Sequence, residues 1–113
     1  MSGANKVLII EDDSTIRTIL THVLSEQGYE IVACVLLREA KGLLESDEFD
    51  LIISDIGLPD GNGLDFCGQY ALPYISMSAT EGIAPLAIAS GAKAFIEKPF
   101  AVEEMLSAIK RVI

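Results

Sequence analysis

The chain has 113 residues and half of them are apolar, enough for one domain to bury a core without disulfides or a structural metal. Seventeen acids stand against 8 bases for a net charge of −9, which argues against direct binding of nucleic acid or an anionic membrane surface. Its apolar runs stop short of the roughly 18 residues a membrane span needs, and the start, Met1 to Lys6, is not a secretory signal, so a cytoplasmic protein is expected.

Short apolar runs alternate with segments of helical period along the whole chain. The first strand is expected over Lys6 to Glu11, continuously apolar as in a strand covered on both faces. A helix follows over Ser14 to Gln27, with Ile16, Ile19, Leu20, Val23 and Leu24 on one face, Asp13 placed as its N-cap and Gly28 as its stop. Strand two is expected over Tyr29 to Cys34, helix two over Leu37 to Glu45 and strand three over Leu51 to Asp55. A short third helix, Gly63 to Tyr70, precedes Pro73 and strand four at Tyr74 to Met77. Pro85 suits the first turn of a fourth helix, Ala84 to Ser90, and Gly91 its end. Strand five spans Lys93 to Glu97. The last helix, Val102 to Ile113, places Glu103 and Glu104 early and Lys110 and Arg111 late, in keeping with the helix dipole. The pattern describes a single α/β domain over 1–113, a doubly wound parallel sheet with helices on both faces.

Ligands of such sheets bind at the carboxyl ends of the strands. Here strand one ends in Glu11-Asp12-Asp13 and strand three in Asp55. Carboxylates gathered on neighbouring strand ends repel one another unless a cation or a proton intervenes, and oxygen donors of this kind suit Mg²⁺. Strand four ends in Ser76-Met77-Ser78-Ala79-Thr80 and strand five in Glu97-Lys98-Pro99, which adds hydroxyls and a lysine to the same edge. Acid cluster, hydroxyl and lysine together form the set that phosphoryl transfer to a carboxylate requires.

Over essentially its whole length the sequence resembles the response-regulator receiver domains of two-component signalling. The resemblance is carried by Val7 to Asp13 with Arg17, Leu51 to Gly63, Ser78-Ala79, Gly91-Ala92 and Phe95 to Phe100. It implies a five-stranded sheet of order 2-1-3-4-5 and Asp55 as acceptor of a phosphoryl group from a histidine kinase or phosphotransfer protein. It also implies a Mg²⁺ site of Glu11, Asp12, Asp55 and the Gly57 carbonyl, with Asp12 the more direct ligand. Lys98, before a cis Lys98–Pro99 bond, would pair with the phosphate; Ser78 and Phe95 would be the switch residues. The output would be a protein target docked on the face of the fourth helix, fifth strand and fifth helix, and a homodimer is one assembly that face would serve. The domain would act as a signalling switch, not an enzyme; the alternative is a docking module that works without phosphate.

The intervals from Asp55 to Ser78 and from Ser78 to Lys98 are short for the family, the first by about a helical turn, so the third helix is expected to be truncated. From Gly82 to Ala92 there is no charged residue, so the fourth helix is expected either to be covered or to expose an apolar patch. His22 is expected on the solvated side of helix one, and Cys34 and Cys67 as buried thiols. A dehalogenase-like phosphatase would need a second acid where Gly57 stands. A flavodoxin-like FMN carrier would set its phosphate against Glu11-Asp12-Asp13.

Overall fold

The computed structural model describes residues 5–113. Its first half runs β1 (Lys6–Ile10), α1 (Ser14–Glu26), β2 (Glu30–Cys34), α2 (Leu37–Ser46) and β3 (Leu51–Asp55). A hairpin of two short strands follows, β4 (Gly57–Leu58) and β5 (Gly61–Asn62), leading into α3 (Gly63–Cys67). The chain then continues through β6 (Tyr74–Ser78), α4 (Ala84–Ser90), β7 (Ala94–Glu97) and α5 (Val102–Val112). The five longer strands form one parallel sheet ordered β2-β1-β3-β6-β7. With the hairpin strands set aside, this is the order 2-1-3-4-5. Among the described residues no helix is long and apolar enough to cross a membrane.

Alternation along the strands divides the core in two. Leu8, Ile10, Ile52 and Tyr74 face α2, α3 and α4, where they meet Ala40, Leu64, Cys67 and Ala87. Val7, Ile9, Leu51, Ile53, Ile75 and Met77 face α1 and α5, packing on Leu20, Leu24, Met105 and Ile109. Both faces of β1 and β3 are therefore covered, which is why their sequences read as unbroken apolar runs. Cys34 and Cys67 are free and buried, and burial pushes both thiols up to about 12, leaving them unreactive at neutral pH.

The third helix is truncated, as expected, and is shorter still than the span Gly63 to Tyr70. It ends at Cys67 rather than Tyr70, and the chain leaves in tightened turns in which the Gln69 amide donates to the Phe66 carbonyl and the Tyr70 amide to the Cys67 carbonyl. Tyr70 still packs on the core, with its ring centroid 5.2 Å from that of Phe66. Tyr70 is thus partly buried from a turn, not from a further turn of helix.

The fourth helix is exposed. Ala87 is fully buried, whereas Leu86 and Ile88 are 59% and 50% exposed, so the short third helix does not cover them. The far end of α4 is anchored: the Tyr74 hydroxyl, at the start of β6, donates to the Ser90 carbonyl at 2.9 Å and lies 3.1 Å from the Ser90 hydroxyl. Gly91 follows with φ +116°, and a Cβ there would stand 3.2 Å from that same hydroxyl. No side chain caps the near end of α4, which follows Gly82 at φ +78°.

Candidate functional site

The site is built at the carboxyl ends of β1, β3, β6 and β7. Asp55 is the last residue of β3 and lies beside Met77 in the ladder. Glu11 follows β1, and its amide donates to the Cys34 carbonyl at 3.1 Å, which carries the strand one residue past its regular end. Lys98 follows β7; its amide donates to the Ser78 carbonyl at 2.9 Å, and the Lys98–Pro99 bond is cis.

Four of the residues singled out in the sequence meet directly. The Lys98 ammonium lies 2.5 Å from Glu11 Oε1 and 2.9 Å from Asp55 Oδ2. Glu11, Asp12 and Asp55 each offer a carboxylate oxygen, all within 4.8 Å of one another. Glu11 is fully buried, Asp55 is partly buried and Asp12 is exposed. The remaining oxygen of Glu11 accepts from the Asp13 amide at 3.0 Å, so both of its oxygens are engaged. Asp13 itself caps α1, accepting from the Ile16 amide at 3.0 Å.

Burial raises the Glu11 carboxyl above the ordinary range, against the lowering effect of its bond to Lys98. Burial also works against the Lys98 ammonium, but Glu11 and Asp55 outweigh it and hold the lysine above its usual value, fully charged at neutral pH. Three carboxyl groups against one ammonium leave an excess of negative charge. The donors are all hard oxygens and one of them is exposed, a set that fits Mg²⁺ with water completing its shell. Each Glu11 oxygen already accepts one hydrogen bond, from Lys98 and from the Asp13 amide, and keeps a further lone pair.

Ser78 and Phe95 stand beside this group rather than in it. Ser78 is 6% exposed, and its hydroxyl accepts from the Thr80 amide at 3.0 Å. Phe95 is half-buried on the α2-α3-α4 side of the sheet and lies next to Ser76 in the ladder. Gly57 is exposed, the first residue of the hairpin that follows Asp55, and a Cβ there would meet nothing within 4 Å. His22 is exposed on α1, with its Nε2 3.5 Å from Glu26.

Three residues within the matching stretch Leu51 to Gly63 have supporting roles that the sequence reading did not assign. Ser54, a polar residue buried in an apolar strand, donates its hydroxyl to the Asp55 carbonyl at 2.8 Å and so fixes the peptide of the candidate acceptor. Its signal was the interruption of the apolar run. Gly63 lies so near that a Cβ would stand 2.0 Å from the same carbonyl, and its amide donates to the Ile56 carbonyl at 2.7 Å. Asp60, at the tip of the hairpin, accepts from the Leu37 and Arg38 amides at 2.9 and 3.1 Å, capping α2 across the molecule. Together these contacts tie the hairpin to β3 on one side and to α2 on the other.

Residues 7–110 match the family model described as the response regulator receiver domain. Over 94% of its length the chain is 35% identical to the swarming motility regulation protein RssB of Serratia marcescens, of which it covers 52%. It thus spans about half the length of the curated relatives it matches. Among solved structures, the response regulator TrrA of Thermotoga maritima in complex with Mg²⁺-BeF superposes with a TM-score of 0.86 at 27% identity, covering 96% of this chain and 99% of that one. The beryllofluoride-activated NtrC4 receiver domain dimer superposes at 0.87 with 32% identity, covering 95% and 94%.

Proposed function

The chain belongs to the response regulator receiver domain family, and from that premise we propose that it accepts a phosphoryl group on Asp55 and switches a protein-binding surface in response. The observation that carries this reading is the convergence of Glu11, Asp12, Asp55 and Lys98 at one sheet edge, with the acceptor carboxylate already in contact with a cationic side chain.

The donor would be the phosphohistidine of a kinase or phosphotransfer protein. An Asp55 oxygen forms the new P–O bond, the N–P bond of the donor breaks, and the departing imidazole takes up a proton. Glu11, Asp12, Asp55 and the Gly57 carbonyl would hold Mg²⁺, which when bound supplies positive charge beside the phosphoryl oxygens. Lys98 contributes a second positive charge from its place between Glu11 and Asp55. Phosphorylation turns one carboxylate charge into a group near −2 with three acceptor oxygens. The Ser78 hydroxyl accepts from Thr80 and keeps its own proton to donate to such a group. Movement at Ser78 changes what Phe95 packs against and alters the surface of α4, β7 and α5, where a downstream protein or a second copy would dock. We place this activity in the cytoplasm.

Titration with beryllofluoride and Mg²⁺, followed by NMR, tests the reading. Shifts at Asp55, Ser78 and Phe95 are expected in the unsubstituted protein and not in Asp55→Asn, which also blocks labelling by a small acyl-phosphate donor. Silence of the unsubstituted protein would favour a docking module that works without phosphate.

A further inference from the structure

Arg17 has no part in the chemistry above, yet it touches the backbone on which that chemistry stands. It lies at the end of the first turn of α1, half-buried, and its guanidinium Nη1 donates to the Glu11 carbonyl at 2.9 Å. That carbonyl belongs to the peptide joining Glu11 to Asp12. The amide of Glu11 is bonded to Cys34 at the end of β2, so the segment is held by the sheet edge on one side and by α1 on the other. Asp12, the exposed member of the acidic cluster, is placed by that peptide.

The charge of Arg17 suits the acidic cluster only while no cation occupies it. A cation near a helix N-terminus gains nothing from the macrodipole, and a positive charge near an acidic cluster opposes a metal ion bound there. The hydrogen bond does account for an arginine here. We propose that Arg17 is a positioning residue for the cation site: by fixing the Glu11–Asp12 peptide it holds Asp12 where its oxygen meets those of Glu11 and Asp55. The proposal rests on the reading of that cluster as a Mg²⁺ site.

The two roles of a guanidinium predict opposite signs on removal. Loss of its charge tightens cation binding, whereas loss of its hydrogen bond loosens the site. Mn²⁺, which shares the oxygen preference of Mg²⁺, is the probe, with the free ion followed by electron paramagnetic resonance at physiological ionic strength. Arg17→Met keeps the aliphatic stem and Arg17→Ala removes it; both are expected to bind Mn²⁺ about tenfold more weakly, as when an outer partner of a metal ligand is lost. Arg17→Lys, which retains a charged donor, is expected to restore binding to within about twofold of the unsubstituted protein. Circular dichroism in EDTA accompanies each variant. Unchanged or tighter binding by Arg17→Met overturns the proposal, as does loss of its fold in EDTA, which would make Arg17 a folding residue. Failure of the unsubstituted protein to bind Mn²⁺ would remove the cation-site reading itself, and the proposal with it.

Discussion

Lys98 is held more closely by Glu11, at 2.5 Å, than by Asp55, at 2.9 Å. Glu11 is fully buried, so the lysine is its counter-ion as well as the cation beside the candidate acceptor. Removing one partner of a buried pair leaves the other charge uncompensated, at a cost of about 3–5 kcal/mol. Lys98→Ala is therefore expected to lose about that much stability in EDTA at neutral pH, measured by urea unfolding. The loss should shrink on acidification. A carboxyl whose folded pKa lies above its unfolded value of about 4.3 penalises the fold only once pH rises past the unfolded value, so protonating Glu11 removes the penalty. Adding Glu11→Gln to Lys98→Ala should recover much of the loss at pH 7.

The α2 cap supplied by Asp60 has the opposite pH signature. The amide of Leu37 donates to its carboxylate and, with that of Arg38, holds it below the ordinary carboxylate range. Such a group stabilises the fold above its unfolded pKa, about 3.9, and the contribution is lost as pH falls through the lower folded value. Asp60→Ala should melt a few degrees below the parent at pH 7, and the two melting curves should begin to converge only as pH falls below about 4.

Gly63 should tolerate no side chain. A Cβ placed 2.0 Å from the Asp55 carbonyl and 2.8 Å from the Ser54 hydroxyl has only backbone and a buried side chain to push against. Gly63→Ala is expected to cost at least the about 1–3 kcal/mol of an overpacked core. It should also slow acyl-phosphate labelling by displacing Asp55. Labelling at the parent rate would show that the hairpin is decoupled from the acceptor.

Leu86 tests the output face. At 59% exposure its replacement by glutamate should change stability by no more than about 0.5 kcal/mol. The same change places a charge on a helix that has none and should weaken self-association or partner binding seen by sedimentation. Unfolding of Leu86→Glu would mean that the residue is packed after all.

The parallel sheet was legible because strands buried on both faces must be apolar throughout, and β1 and β3 are; its strand order came from the family resemblance. Glu11, Asp12, Asp55 and Lys98 were legible because strand ends place them side by side whatever the helices do. Supporting contacts were not. Asp60 caps α2 from 23 residues away, and only the folded hairpin reveals that its carboxylate faces the Leu37 amide. Arg17 matched a family motif, but its hydrogen bond to a backbone oxygen leaves no trace in residue type. The end of α3 was placed too late: the stretch before Pro73 has room for about two helical turns, but the chain leaves the helix at Cys67 and Tyr70 packs on the core from a turn.

The Tyr74 anchor gives α4 a mechanical asymmetry. A seven-residue helix is about 10 Å long, and here it is moored at Ser90 and Gly91 while its uncapped end begins just beyond Ser78 and Thr80. Such a helix would act as a lever with its fulcrum at the end farther from the proposed acceptor, Asp55. Displacement of the loop after β6 would swing Pro85 and Leu86 through the widest arc and leave Ser90 nearly still, which puts the more exposed apolar side chain, Leu86, on the moving arm.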